Sequence, residues 1–386
     1  SFVNPDSGMR DARTIRGTEQ VLGNTALGQT FRPTSEILSE KAFVNGLVGL
    51  MATGGSTNLV LHLPAMARAA GVIIDLEGFY DLSEAVPLMA KVYPNGLADV
   101  NHFHAAGGLP YMIGRLLDAG LLHEDVKTVA GDGLGLHAQE PALDGGALIF
   151  RDGAKDSAND KILRTADDPF QATGGLKQLK GNLGHGMMKV SAVAPERHVV
   201  EAPARVFESQ NAVKDAFKAG EFTSDLVIVV RFQGPKANGM PELHGLTPAL
   251  SVTQQRGINV ALVTDGRMSG ASGKVPSCIH VSPEAAAGGP LSRIQNGDII
   301  RVDAIEPAQI KAFDSVRAQL ETQLRRDRAT ELLSVLEERI ERRVEQGGVD
   351  LATLSQEFKL PLQTVPKFSR QGDASLSREP AFIELV

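Results

Sequence analysis

Leu226 to Phe232 is almost wholly β-branched and apolar. A run of this kind is read as a buried strand, because such side chains fit a pleated surface and have little to do in water. Val260 to Thr264 is a second such run, and Asp298 to Asp303 alternates and forms a third. The first two lead straight into glycine-bearing loops. Short strands at regular spacing from about 165 to 303, with a few helices among them, predict a β-barrel-like domain or a sandwich.

The first 140 residues have a different rhythm. Phe43 to Met51 is apolar, Leu59 to Ala70 is helical and stops at Gly71, and Tyr111 to Ala119 is helical and stops at Gly120. Val72 to Leu76 and Val100 to His104 read as short strands, and Ser83 as a helix cap. Helices alternating with short strands predict an α/β layer domain over 1–140. Residues 141–164, rich in Asp, Gly and Ala, are expected to be a linker. Beyond 303 the texture changes again. Residues 308–346 contain neither Gly nor Pro, and Phe313, Val316, Leu320 and Leu324 share one helical face, as do Leu332, Leu336, Ile340 and Val344. A long helical C-terminal tail over 304–386 follows, its narrow apolar seam wanting a partner helix. The fold class expected is thus α/β: a layer domain, a barrel-like domain and a helical tail.

Charge and cysteine content remove several function classes. A net charge of −7 and a pI near 5.8 argue against a nucleic-acid partner. No stretch of about 18 apolar residues is present, so no membrane segment is expected. Cys278 is the only cysteine. It cannot form an internal disulfide, and one thiolate cannot hold an iron–sulfur cluster. The chain opens on Ser1 with no targeting pattern, which gives the expectation of a cytoplasmic protein and of a piece of a longer one.

Four stretches could carry chemistry. In Ala261-Leu-Val-Thr-Asp-Gly-Arg-Met-Ser-Gly-Ala-Ser272 a buried strand ends in a glycine turn that presents Ser269 beside Arg267. Backbone amides and a cation there would ease formation of a serine alkoxide; a turn capping the next helix has the same pattern. In Arg231-Phe-Gln-Gly-Pro-Lys-Ala-Asn-Gly-Met-Pro-Glu-Leu243, Glu242 stands at the end of a rigid loop. It is either a hard-cation ligand or a carboxylate favoured at a helix start. Thr53-Gly-Gly-Ser-Thr-Asn58 precedes a helix, so Ser56 and Thr57 could hold an anion or simply cap. In Asn101-His-Phe-His104 the two histidines would share a strand face; with no third ligand, substrate hydrogen bonding or packing is preferred to a metal. Arg10, Arg13 and Arg16 recur at helical spacing and read as a solvated face.

Taken together, the 261–272 stretch, Gly-Pro-Lys-Ala-Asn-Gly-Met-Pro-Glu-Leu, Thr-Gly-Gly-Ser-Thr-Asn and His280-Val-Ser-Pro-Glu-Ala-Ala-Ala-Gly-Gly289 resemble the dihydroxy-acid dehydratase and phosphogluconate dehydratase family. Phe2-Val-Asn-Pro-Asp-Ser7, Val100 to Gly107, Ala172-Thr-Gly-Gly-Leu176 and Gly266 to Lys274 resemble its phosphogluconate branch. The resemblance covers about residues 1–303. It implies a dimeric hydro-lyase of the Entner–Doudoroff pathway that converts 6-phospho-D-gluconate to 2-dehydro-3-deoxy-6-phosphogluconate with a 4Fe-4S cluster and Mg2+. It places Ser269 as the alkoxide base and Glu242 as a metal ligand. Arg267, Ser272, Ser56, Thr57 and His104 become the expected substrate contacts. The family's cluster cysteines and its modified metal-site lysine would precede Ser1, and Cys278 matches none of them. The chain alone is therefore expected to hold half an active site, with no cluster. The tail from 304, and Phe358 to Arg370 within it, weakly resembles the C-terminal part of periplasmic parvulin-type prolyl isomerases, without their catalytic domain. Two other functions compete with the dehydratase: a non-catalytic sugar-acid-binding or assembly protein with a helical docking tail, and a prolyl-isomerase-like chaperone segment.

Overall fold

The computed structural model describes residues 8–269 and 274–303, and in the C-terminal part 325, 328, 329, 332, 333, 335–337 and 339–362. Residues 1–306 form one compact unit and 307–386 another.

The first unit begins with helices α1 (Gly8–Gly23), α2 (Thr34–Ile37), α3 (Glu40–Thr53), α4 (Leu59–Ala69), α5 (Leu76–Ala85), α6 (Val100–Ala105) and α7 (Gly108–Asp118). Short strands β1 (Lys127–Thr128) and β2 (Gly131–Asp132) pair, and β3 (Gln139–Asp144) and β4 (Ala147–Asp152) form a hairpin. Then come β5 (Leu176–Gly181), β6 (Gly184–Lys189), β7 (Val199–Phe207), α8 (Gln210–Lys218), β8 (Leu226–Val230), α9 (Pro235–Asn238), α10 (Thr247–Gln255), β9 (Val260–Thr264), β10 (Ser277–Ser282) and β11 (Ile299–Asp303).

Seven of these strands make one mixed sheet in the order β11-β7-β8-β9-β10-β6-β5. Its centre, β7 to β10, is parallel, and the flanking pairs are antiparallel. Parallel neighbours need a crossover, which α8 and α10 supply. Every residue of β8 and β9 is buried, and the period of two sorts them into two cores. Leu226, Ile228, Val230, Val260 and Leu262 pack with Leu47, Met51, Phe79 and Met112 of the N-terminal helices. Val227, Val229, Ala261 and Val263 pack with Met188, Val200, Ile300 and Val302, which belong to the same sheet. Burying each such side chain stabilises by about 1.5–3 kcal/mol. A sheet that must bury one face against its own strands has to curl. Accordingly the β5–β6 turn and β11, at opposite ends of the strand order, line one cavity of about 570 Å³.

Several local expectations change. Val100 to His104 is helix α6, not a strand. Asp99 caps it, accepting from the backbone N–H groups of Asn101 at 2.9 Å and His102 at 3.0 Å. Two residues apart on a helix are turned by about 200°, so His102 and His104 do not share a face. Val72 to Asp75 is an irregular connection, and Asp75, not Ser83, caps α5, accepting from Gly78 N–H at 2.6 Å. Ser83 is buried inside α5 and donates to the Leu176 carbonyl. The stretch expected as a linker carries most of the β3–β4 hairpin. Gly145 and Gly146 both take positive φ, 55° and 88°, which a two-residue hairpin turn requires.

Of the helix expected over 308–346, residues 308–324 lie outside the described ones. The described residues of 325–345 are helical, and α11 (Leu351–Phe358) follows. Arg343 Nε bonds Glu357 at 3.2 Å and Arg339 sits over the Phe358 ring at 5.6 Å. The seam helix and α11 are therefore partners within this unit. No helix among the described residues is long and apolar enough to cross a membrane.

Candidate active site

Two strand ends build the site. Chain leaving β8 turns at Phe232, and chain leaving β9 turns at Asp265 and Gly266. Asp265 is 1% exposed and ties the two turns together. It accepts from the N–H groups of Phe232 at 3.2 Å, Gln233 at 2.9 Å and Ala285 at 2.9 Å. Gly266 must lack a side chain here: a Cβ would stand 2.7 Å from Gln233 and 2.9 Å from Leu243. Phe232, Met240 and His280 take left-handed φ of 59°, 54° and 57°. Only one other non-glycine residue among the described ones does so, and it lies in the second unit. Each such residue costs about 1–3 kcal/mol and persists only where its surroundings enforce it.

Glu242 and Arg267 face each other across a parallel bridge. Arg267 Nη1 donates to Glu242 Oε2 at 2.8 Å and to Asn58 Oδ1 at 3.3 Å, while its Nε donates to the Met240 carbonyl at 2.8 Å. Glu242 Oε1 accepts from the backbone N–H of Ser269 at 2.8 Å and of His244 at 3.0 Å, and Asn58 Nδ2 lies 3.4 Å from Oε2. The ion pair is about one-third exposed or less, so it is stronger than a surface pair. Thr57 is buried and its hydroxyl donates to the Met268 carbonyl at 2.6 Å. The loop before α4 is thereby fastened to the serine-bearing turn.

Ser56 and Ser269 line one cavity of about 270 Å³ with Gly54, Gly55, Tyr93, Phe103 and Lys189. Of the expected site residues, Ser269, Arg267, Glu242, Ser56 and Thr57 thus come together. His104 is exposed on α6 and does not line this cavity, although its neighbours Val100 and Phe103 do. Ser272 lies outside the described residues.

Asn58 and Lys189 were not singled out by sequence reasoning. Asn58 ends the Thr-Gly-Gly-Ser-Thr-Asn motif, which was the available signal. Lys189 had none, since a lysine closing β6 looks like any strand end. It is 5% exposed, and its Nζ donates to the carbonyls of Gly54 at 2.6 Å and Gly55 at 3.1 Å. Burial pushes its ammonium down to about 8. The unfolded lysine binds its proton up to about 10.5, so folding is penalised below pH 8 and the penalty is relieved as pH rises from 8 to 10.5. The stability of the chain minus that of Lys189→Met should therefore increase by on the order of 3 kcal/mol over that window. Urea unfolding of both proteins at pH 7.5, 9 and 10.5 measures this, and a constant difference would refute it.

Among the described residues no three His, Cys, Asp or Glu side chains are placed to hold a metal ion. Both oxygens of Glu242 are already engaged by N–H donors, one of them cationic, which is the reverse of a cation site. Cys278 is buried in β10, where burial pushes its thiol up to about 12, and one thiol is too few to hold a cluster. The described residues therefore fit neither magnesium nor an iron–sulfur cluster on their own.

Residues 1–137 match the family description dihydroxy-acid/6-phosphogluconate dehydratase N-terminal, and residues 161–347 match its C-terminal counterpart. The second match runs past 303, where the motif resemblance stops. The chain is 58% identical over 306 residues to the phosphogluconate dehydratase of Rhizobium meliloti (strain 1021), covering 79% of this chain and 50% of that protein. It is 56% identical over 303 residues to the phosphogluconate dehydratase of Escherichia coli (strain K12), covering 78% and 50%. A dihydroxy-acid dehydratase of Renibacterium salmoninarum is 40% identical over 296 residues, covering 75% and 48%. The chain spans about half the length of the curated relatives it matches.

Proposed function

We propose, since the chain belongs to the dihydroxy-acid/6-phosphogluconate dehydratase family, that it forms part of a hydro-lyase acting on 6-phospho-D-gluconate. The observation that carries this reading is the hydrogen-bonded cluster of Glu242, Arg267 and Asn58 on the turn that brings Ser269 to a cavity wall, in a chain 52–58% identical to several phosphogluconate dehydratases.

Ser269 is read as the base that takes the proton from C2. The electron pair left behind forms the C2=C3 bond as the C3 hydroxyl departs, and the proton taken from C2 leaves with it as water. The resulting enol gives up its O2 proton and takes one at C3, becoming the 2-keto acid. Arg267, ion-paired to Glu242 beside the serine turn, is read as the cation that meets an anionic substrate. Glu242 holds Arg267 and the Ser269 backbone in place. Ser56 and, by the resemblance, Ser272 are read as substrate contacts, while Thr57 fastens the loop that carries Ser56. The iron–sulfur cluster and magnesium implied by the resemblance would need ligands beyond the described residues. The same resemblance supports a homodimer in the cytoplasm. The curl of the seven-stranded sheet supports a barrel-like reading of 165–303 beside an α/β domain over 1–140, with 304–386 as a helical tail.

The test is complementation. The chain is mixed with a fragment comprising the remaining half of the Rhizobium meliloti relative, together with iron, sulfide and magnesium. Formation of 2-keto acid from 6-phosphogluconate is expected from the mixture and from neither part alone. Turnover by the fragment without this chain, or no turnover from two folded and associated parts, would overturn the reading.

A further inference from the structure

Another cavity, second to the one that Ser269 lines and of about 360 Å³, opens between α4, α5 and the β6–β10 part of the sheet. Its wall carries one residue that the fold holds at a double cost. His280, in β10, takes φ of 57°, and both nitrogens of its ring are buried with no hydrogen-bond partner. A buried polar atom without a partner is rare in a native protein and calls for an explanation. Two on one ring, on a strained backbone, mark a group whose partner arrives from outside the chain.

The rest of the lining narrows what that partner is. The two carboxylates in the wall, Asp265 and Glu284, are occupied. Asp265 accepts three backbone N–H groups, and Glu284 accepts those of Lys236 at 2.9 Å and Ala237 at 3.3 Å. Tyr80 and Gln178 bring a phenol and an amide to the same cavity. Burial, and after it the Arg267 charge, pushes the His280 imidazole down to about 4, so it is neutral near pH 7. A neutral imidazole donates from one nitrogen and accepts at the other. That pattern matches a hydroxyl, which also does both; a phosphate dianion would leave the acceptor nitrogen unmatched.

The cavity also adjoins the proposed chemistry. The backbone N–H of His280 donates to the Gly266 carbonyl at 3.0 Å, and Gly266 is three residues from Ser269, at most about 11 Å along the chain. Met240, whose carbonyl holds Arg267, lines the same wall.

We propose that His280 is a substrate-binding residue that hydrogen-bonds a hydroxyl of the sugar-acid carbon chain from the wall of this second cavity. It rests on the reading of the chain as acting on a sugar acid, and adds to it the residue that recognises the polyol portion.

Ring resonances of the histidines in the full 386-residue chain are followed by NMR while 6-phospho-D-gluconate, and separately D-gluconate, is added. The His280 signal is assigned by its loss in His280→Gln. It is expected to shift with both acids. Calorimetry on His280→Phe should show affinity for 6-phosphogluconate weakened about tenfold or more. Without ligand this variant should melt no lower than the parent, and up to about 2–4 °C higher, because an apolar ring leaves no unpaired nitrogen. If other resonances shift and the His280 signal stays, with normal affinity in His280→Phe, the His280 proposal is overturned and the sugar-acid reading stands. If no resonance shifts with either acid, both are overturned for this chain. A marked fall in melting temperature with unchanged affinity would assign the ring to a bound water or to packing, and would equally overturn the proposal. Should His280→Phe not fold, the affinity of His280→Gln together with the wild-type titration decides.

Discussion

Asp265→Ala is expected to lower the stability of the first unit by about 3–5 kcal/mol. Three backbone N–H groups lose their acceptor at once, at a site 1% exposed. Each orphaned buried donor costs about 1–3 kcal/mol, and some of that is recovered as the turns relax. Against a total stability of about 5–15 kcal/mol the loss approaches global unfolding. Asp265→Asn should cost less, because one oxygen remains and can still serve two of the three donors. Urea unfolding followed by circular dichroism gives the numbers. A loss below about 1 kcal/mol for the alanine variant would mean that the strand-end turns are held by something else.

Ser269→Ala is the second large effect, and it falls on rate. In the complemented enzyme kcat for 6-phosphogluconate should fall by about 10²–10⁴, the usual contribution of a positioned base, with KM changed no more than a few-fold. The substitution keeps the backbone N–H that Glu242 accepts, so the Glu242–Arg267 pair and the melting temperature should hold. A fall in kcat/KM driven by KM alone would mark Ser269 as a binding group. Unchanged turnover would remove it from the reaction.

Why some of this was legible in the chain and some was not has physical causes. Leu226 to Val230 and Val260 to Thr264 are apolar at every position, and no alternative to a buried strand fits so short a run. Because function sits where such strands end, Glu242 and Ser269 could be expected near one another before any coordinates. Val100 to His104 misled because five positions are too few for periodicity to separate strand from helix, although Val100 and Phe103 stand at the i, i+3 spacing of one helix face. Asp99 decides the matter by capping, an effect of one side chain on two backbone N–H groups that a hydropathy pattern does not carry. The β3–β4 hairpin was hidden by its composition: Asp and Gly at 144–146 announce a turn, but the flanking strands are largely exposed and so lack a buried stripe. Asn58 and Lys189 depend on partners far off in sequence, and nothing local announces such a pairing. His280 was visible only as part of a motif; its significance lies in what it lacks, and an absent hydrogen bond has no sequence signature.

The fastening of the Thr57 loop to the serine turn also bears on how the protein is made. The hydroxyl of Thr57 and the carbonyl of Met268 are 211 positions apart. At a synthesis rate of about 5–20 residues per second, α3 and α4 wait roughly 10–40 s after their own emergence before that acceptor exists. Closing so long a loop has to precede any gain from the contacts it makes. During that interval Phe43, Leu47, Met51 and Val60, which end up buried in the core or its margins, have no sheet to cover them. The nascent N-terminal helices are thus left exposed to misassociation for that interval, and the joining of the Thr57 loop to the Ser269 turn comes late in folding, not at its beginning.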